Sequence, residues 1–158
     1  LMHAALHDRE MQVVEVLLKA SADVKARDAT GWTALMHATR RRREHTKVVQ
    51  LLIEAGAEVN ATHNHGGTAL SNAAYNGHTQ VVQFLIAAGA HVNVADEAQW
   101  TPLICSSMNG HFQIASLLIE SGAHVNAADR LGRTALSLAK LNRHTAIAEL
   151  LTRAGATH

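Results

Sequence analysis

The chain has 158 residues, of which 47% are hydrophobic and 17% are charged. This composition is typical of one folded domain and not of a disordered segment. The formal charge is only +1, and basic and acidic residues are balanced in both halves of the chain. A nucleic-acid-binding protein would usually carry a larger basic surplus on one face, so this class is not indicated.

A single cysteine, Cys105, excludes an internal disulfide. We therefore expect a reducing, intracellular compartment, either cytoplasm or nucleus. No apolar run approaches the roughly 20 residues of a transmembrane helix, and no signal peptide is present, so we expect no membrane association. Because the chain starts at Leu1 without an initiator Met, we expect it to be a piece of a longer protein.

A four-residue string that begins with Thr recurs along the chain. Its copies are spaced 35, 33 and 33 residues apart, at 33–36 (TALM), 68–71 (TALS), 101–104 (TPLI) and 134–137 (TALS). Residues 1–4 (LMHA) repeat at 35–38, so an incomplete copy precedes these four. Thr is a good helix N-cap and Pro102 suits the first helical position, so each string predicts the start of a short first helix.

Each first helix is followed by a turn and a second helix. Asn-Gly at 76–77 and 109–110 is predicted to end the first helix, because glycine reaches positive φ without penalty. Larger apolar residues then form one wide stripe, as in 81–86, and a glycine ends four of the second helices, as Gly56, Gly89, Gly122 and Gly155. One helix pair cannot bury its stripe alone, so the pairs are predicted to stack side by side in a solenoid.

These features together resemble the ankyrin-repeat family over essentially the whole chain. They are the 33-residue period, the Thr-Pro-Leu-type string, the Gly-His turn and the Gly-Ala-x-Val-Asn string at 56–60, 89–93 and 122–126. The resemblance implies antiparallel helix pairs with β-hairpin-like fingers, and a concave surface of fingers and first helices that binds a protein partner without catalysis. We predict one all-α ankyrin-repeat solenoid over 1–158, with units at 1–31 (incomplete), 32–66, 67–99, 100–132 and 133–158.

The sequence also departs from the family pattern. Gln99 stands where the other fingers have a turn glycine, and Ser21 stands where the other second helices are followed by glycine. A non-glycine residue at positive φ costs about 1 kcal/mol, so we expect weaker or locally rearranged units there. The turn between helices is longer in the first two units. The histidine that normally follows Thr-Pro-Leu is absent, so its hydrogen-bond network is not predicted; the replacements are Met36, Ser71, Ile104 and Ser137.

Two tryptophans are the leading binding candidates. Trp32 and Trp100 both immediately precede the unit's Thr, where the other units have Gly67 and Arg133. The resemblance places this position on the finger, facing the concave side, and Trp is enriched in interface hot spots. The alternative is that each indole packs on the neighbouring finger as a structural lid.

Several further residues are secondary candidates. Tyr75, Met108 and Leu141 share the position at the end of the first helix, where partial burial against the next helix is an equal alternative. Arg133 and His65 complete the candidate surface on the fingers.

The only charge run contains Arg40, Arg41, Arg42 and Arg43. We interpret it either as an exposed turn or as a contact for an acidic partner segment, since guanidinium groups pair with carboxylates.

Metal binding and catalysis are weakly indicated. The closest histidine pair is His63 and His65, but His45, His78, His111 and His144 occupy the repeat's own Gly-His position, so we expect no metal. Cys105 falls at a core-facing position, where a buried thiol is unreactive. The resemblance further implies that accessible asparagines of the Val-Asn strings can be hydroxylated; the copies are Asn60, Asn93 and Asn126.

We therefore predict a monomeric, non-catalytic protein-interaction module without cofactor or metal. Its partner would bind the finger and first-helix side and could carry an acidic segment; nucleic acid is disfavoured. The alternative is a set of spacer repeats within a larger protein, with no partner of their own.

Overall fold

A computed structural model describes residues 1–5, 11–40 and 46–157. Within those ranges the chain forms ten short helices in five antiparallel pairs. The first helices are α1 (Met2–Ala5), α3 (Ala34–Thr39), α5 (Ala69–Asn76), α7 (Pro102–Met108) and α9 (Ala135–Leu141). The second helices are α2 (Met11–Lys19), α4 (Thr46–Glu54), α6 (Thr79–Ala87), α8 (Phe112–Glu120) and α10 (Thr145–Arg153).

The repeated Thr begins four of the first helices, as the sequence predicts. Each Thr has extended backbone geometry, and its hydroxyl accepts a hydrogen bond from the backbone N–H three residues later. Pro102 occupies the first position of α7, where its missing N–H leaves no donor unpaired. The N-cap threonines are Thr33, Thr68, Thr101 and Thr134.

The residues that replace the family histidine have two different roles. Ser71 and Ser137 complete capping boxes: the backbone N–H of Thr68 donates to the Ser71 hydroxyl at 2.9 Å, and Thr134 does the same with Ser137. Met36 and Ile104 are instead buried in the core. The helix starts are therefore stabilised by local serine contacts in two units and by apolar packing in the other two.

The helix pairs stack in chain order. Each first helix packs on the next first helix, and each second helix packs on the next second helix. Small side chains on the first helices allow close approach, while the second helices contribute one fully buried leucine each from α4 onwards; these are Leu52, Leu85, Leu118 and Leu151. The core is therefore a continuous layer between pairs, and it includes the thiol of Cys105. None of the described helices is long and apolar enough to cross a membrane.

The two predicted departures from glycine adopt the glycine conformation. Gln99 has φ of 63° and Ser21 has φ of 59°. The N–H of Gln99 donates to the Asp96 carbonyl at 2.9 Å, and Gly31 donates to Asp28 at the same distance in the equivalent finger. The expected local rearrangement is therefore not seen at Gln99, and the finger keeps its shape at the cost of backbone strain.

The predicted lengthening of the first two units falls between the helices. Residues 40–45 separate α3 from α4, whereas only 77–78 separate α5 from α6. Residues 41–45 lie outside the part of the chain that the structure describes.

Candidate partner-binding surface

The fingers connect each second helix to the next first helix, and an acidic residue organises most of their turns. The Asp96 carboxylate accepts hydrogen bonds from the backbone N–H groups of Ala98 and Trp100, at 2.9 and 2.8 Å. Asp28 and Asp129 make the same pair of bonds in their own fingers. Isolated antiparallel bridges at the bases of two fingers give them the hairpin-like form that the family resemblance implies.

Neighbouring fingers are joined to each other by backbone hydrogen bonds. The N–H of Asn64 donates to the Thr30 carbonyl at 3.0 Å, and Glu97 donates to His65 at 2.9 Å. In the last finger, the N–H of Arg130 continues the series by donating to the Ala98 carbonyl at 3.1 Å. This ladder makes the fingers one connected surface and not four independent loops.

The second of the four fingers uses a histidine where the others use aspartate. His63 Nδ1 accepts from the backbone N–H of His65 at 3.1 Å, so the imidazole replaces the carboxylate as turn acceptor. Burial, with the nearby His65, lowers the pKa of His63 below its usual value, and this keeps the acceptor nitrogen unprotonated. The carboxylate of Asp28 is likewise suited to accepting hydrogen bonds. Its pKa is lowered, with the hydrogen bond from the Thr30 hydroxyl as the main cause, so the carboxylate stays ionised.

Trp32 lies at the centre of a ring cluster between the first and second fingers. Its indole stacks on the imidazole of His63, with ring centroids 4.9 Å apart and planes 7° from parallel. His37 makes a tilted ring contact at 5.3 Å, and its Nε2 lies 2.9 Å from a carboxylate oxygen of Asp28. The Arg40 guanidinium lies 5.3 Å from the indole centroid, at cation–π distance.

This stacking also accounts for the glycine in the equivalent position of the next unit. A Cβ built on Gly67 would overlap His63 Nε2, so the imidazole occupies the space of a side chain at residue 67. Packing alone therefore accounts for the change of residue type at this position, from Trp32 in one unit to Gly67 in the next. The sequence signal for it was available, since His63 aligns with Asp28 and Asp96.

Trp100 is half-buried and has a different neighbour. The Arg133 guanidinium lies 6.0 Å from its ring centroid. Arg133 is itself held by the buried carboxylate of Asp129, with Nε and Nη2 at 2.7 and 2.6 Å from one oxygen. Burial raises the pKa of Asp129, but the hydrogen bonds from Arg133 and Leu131 outweigh it, so the net pKa is lowered. Arg133 is therefore partly committed to the finger.

The position at the end of the first helix varies in exposure. Tyr75 is 48% exposed and Leu141 is 72% exposed, whereas Met108 is half-buried and packs against the core. The carbonyls of Tyr75 and Met108 also accept hydrogen bonds from the next unit, each at 3.1 Å from a histidine Nε2. The expected partial burial thus describes Met108 best.

The histidine and arginine candidates are only partly covered by the structure. His65 is exposed, with Nδ1 3.0 Å from a carboxylate oxygen of Glu97 on the next finger. Arg40 is exposed apart from its indole contact. Arg41, Arg42 and Arg43 lie outside the described residues, and so does His45.

Two remaining candidate chemistries are placed by the structure. Cys105 is buried as predicted, and burial raises the pKa of its thiol to about 12, so a reactive thiolate does not form there at neutral pH. Among the described residues, no group of three or more His, Cys, Asp or Glu side chains could hold a metal ion.

The asparagines of the Val-Asn strings bridge successive units. In each case the side-chain oxygen accepts from a backbone N–H, and the side-chain amide donates to a glycine carbonyl of the following turn. For Asn60 these distances are 2.8 Å to His91 and 2.9 Å to Gly89. Both ends of the amide are therefore engaged in holding the stack together, in Asn60, Asn93 and Asn126 alike.

Five stacked helix pairs, with fingers that form one bonded edge, define a helical repeat protein of the solenoid class. A family model described as ankyrin repeats (3 copies) matches residues 1–96 and again 89–158, and the chain therefore belongs to the ankyrin-repeat family. No curated protein matched the chain. Ankyrin repeats are generally protein–protein interaction modules and are typically not enzymes.

Proposed function

We propose that this chain is a non-catalytic, intracellular module that holds a protein partner on the concave surface of its fingers and first helices. The observation that carries the proposal is that large, accessible side chains recur at two positions of the repeat. One position is the finger residue before the N-cap Thr, and the other is the residue at the end of the first helix. Trp32 and Trp100 are half-buried on the fingers, and Tyr75 and Leu141 are exposed at the ends of first helices. Arg40 stands at the same position of its unit as Tyr75 and Leu141 do in theirs. Its contact with Trp32 therefore joins the finger position to the helix-end position within one unit and supports a single surface.

The scaffold beneath these side chains favours binding. The fingers are tied to one another by backbone hydrogen bonds, and their turns are held by Asp28, His63, Asp96 and Asp129. Such a preorganised surface loses little conformational entropy when a partner binds. Aromatic side chains and arginine are also the residue types that most often dominate interface energetics.

The spacer hypothesis has one specific observation in its favour. The stacking of Trp32 on His63 gives that indole a structural role, whether or not a partner contacts it. Trp100 has no such aromatic neighbour among the described residues; the Arg133 guanidinium lies 6.0 Å from its ring centroid, and part of the indole packs against the core, as part of Trp32 also does. Trp100 is therefore the better residue for separating binding from folding.

The test starts with affinity capture of a partner on the immobilised chain, followed by titration of the purified partner. We expect Trp100→Ala to weaken binding by about tenfold or more, because an interface Trp commonly contributes 2 kcal/mol or more. Circular dichroism and thermal melts of the same variant should stay close to the parent. Trp32→Ala should weaken binding and also lower the melting temperature, since it removes the His63 stack.

Phe112→Ala is the matched control, because Phe112 is an exposed aromatic on a second helix, away from the fingers. We expect it to leave partner binding unchanged. Equal binding by Trp100→Ala and the parent would place the partner elsewhere. Failure to capture any protein that survives competition with free chain would favour the spacer hypothesis.

A further inference from the structure

Charge is unevenly distributed along the second half of the chain. Residues 61–126 contain three acidic residues and no Lys or Arg, whereas residues 127–157 contain five Lys or Arg and two acidic residues. The near-neutral total therefore hides a basic last unit beside weakly acidic central units.

The two acidic residues of 127–157 do not neutralise this excess. Asp129 is buried and paired with Arg133, and Glu149 lies 4.0 Å from Arg153 on α10. Both carboxylates thus have a cation of their own. Three further cations have no ion-pair partner among the residues that the structure describes; they are Arg130, Lys140 and Arg143.

Lys140 occupies a position that the preceding units bury completely. Its equivalents Thr39, Ala74 and Ser107 are each 0% exposed, because the next first helix covers them. Lys140 is exposed. Any chain segment that covers this position must supply a group that pairs with the ammonium, because burying the charge alone is strongly unfavourable.

Arg143 occupies a position that the two preceding units reserve for glycine. A Cβ on Gly77 would lie 2.6 Å from the ring of His111, and a Cβ on Gly110 would lie 2.7 Å from the ring of His144. Arg143 adopts the same left-handed conformation with φ of 61°, a conformation that costs a non-glycine residue energy. Strain that is retained at an exposed cation is the kind of outlier from which a functional role can be inferred.

Residues 127–157 also carry the two most exposed large apolar side chains in the described part of the chain. Leu131 is 76% exposed and follows Arg130 in the last finger, and Leu141 is 72% exposed and follows Lys140 at the end of α9. We define these five residues as the C-terminal edge: Arg130, Leu131, Lys140, Leu141 and Arg143.

We propose that the C-terminal edge binds an acidic segment of a protein partner, with at least one large apolar side chain of that segment against the leucines. This proposal rests on the function proposed above and names the partner chemistry at one end of the same surface. Charge complementarity favours Asp and Glu, and the exposed leucines favour an apolar anchor between them. Nucleic acid is disfavoured because residues 127–157 contain no Phe, Tyr or Trp on which a base could stack.

The experiment screens the whole chain against an array of random peptides about twelve residues long, which span roughly 40 Å when extended. We expect the enriched peptides to be rich in Asp and Glu around Leu, Ile or Phe. Fluorescence anisotropy then measures the affinity of one enriched peptide. A triple variant with Arg130→Gln, Lys140→Gln and Arg143→Gly should bind this peptide about tenfold more weakly, since each accessible ion pair contributes modestly.

Arg143→Gly alone separates binding from folding. Glycine relieves the strain at positive φ, so we expect the melting temperature to rise by about 2–4 °C while peptide affinity falls. Leu131→Ser and Leu141→Ser should also weaken binding. Arg153→Gln is the matched control, because it removes the same charge from the same unit outside the C-terminal edge, and it should bind normally.

Three results would overturn the proposal. They are enrichment of peptides without acidic residues, unchanged affinity in the triple variant, and preferential binding of a single-stranded oligonucleotide of equal charge that the triple variant abolishes. Any of these would leave the broader binding function to be judged by the Trp100→Ala titration, so the two failures are distinguishable.

Discussion

The close approach of the His63 ring to Gly67 predicts that Gly67→Ala destabilises the parent protein but not a variant that lacks the imidazole. Gly67 has no positive φ, so alanine suits its backbone, but the new Cβ would overlap His63 Nε2. The imidazole would have to move, and it is held by Trp32 on one side and by the His65 N–H at its Nδ1. We expect Gly67→Ala to lower the free energy of unfolding by about 1–3 kcal/mol, as overpacking in a well-packed site usually does.

The same substitution should be harmless once the imidazole is removed. In a His63→Asp background the finger would carry the same turn residue as Asp28, Asp96 and Asp129, and the carboxylate would accept from the backbone N–H groups. Gly67→Ala should then be neutral or stabilising by about 0.4–1 kcal/mol, because alanine restricts the unfolded chain. His63→Asp alone should cost about 0.5–1.5 kcal/mol through loss of the Trp32 stack.

Urea unfolding of the parent, both single variants and the double variant measures this coupling as a double-mutant cycle. The interaction free energy between the two sites should be at least about 1 kcal/mol, well above the few tenths expected for independent sites. Equal effects of Gly67→Ala in the two backgrounds would refute the steric explanation for glycine at residue 67.

Three further predictions concern single residues. Burial and the nearby His65 keep the pKa of His63 in the folded protein below its usual 6.5. As the pH drops below about 6.5, the unfolded chain takes up the proton before the folded protein does, so the free energy of unfolding should fall. The variant His63→Gln should show a smaller fall in melting temperature over this range. Gln99→Gly should raise the free energy of unfolding by about 1 kcal/mol by relieving positive φ, whereas Gln83→Gly, within α6, should lower it by a similar amount; melts that move in the same direction would contradict this. Cys105 should resist a thiol reagent at pH 8 in the folded protein and react in urea; rapid labelling of the folded protein would show that the thiol is accessible.

Local signals were sufficient to predict the repeated elements. Thr at the N-cap, Pro102 at the first helical position and the glycine beyond four of the five second helices act within a few residues of the chain, so the helix starts and ends followed from the sequence alone. The apolar stripes then required the pairs to stack. Burial of Cys105 was predicted for the same reason, because its position within the unit is shared with neighbouring units.

Contacts between units could not be predicted in this way. His63 is 31 residues from Trp32. Only the stacking of the first finger on the second brings their rings together and leaves space for nothing larger than glycine at residue 67. The partial commitment of Arg133 to Asp129, and the exposure of Lys140 at a position that other units bury, also depend on which neighbour lies beside the unit. Capping, helix ends and apolar periodicity are properties of adjacent residues, so the sequence determined the repeat and its helices. The character of each surface position depends on side chains that approach from the next unit, so only the tertiary structure decided which candidates are free to meet a partner.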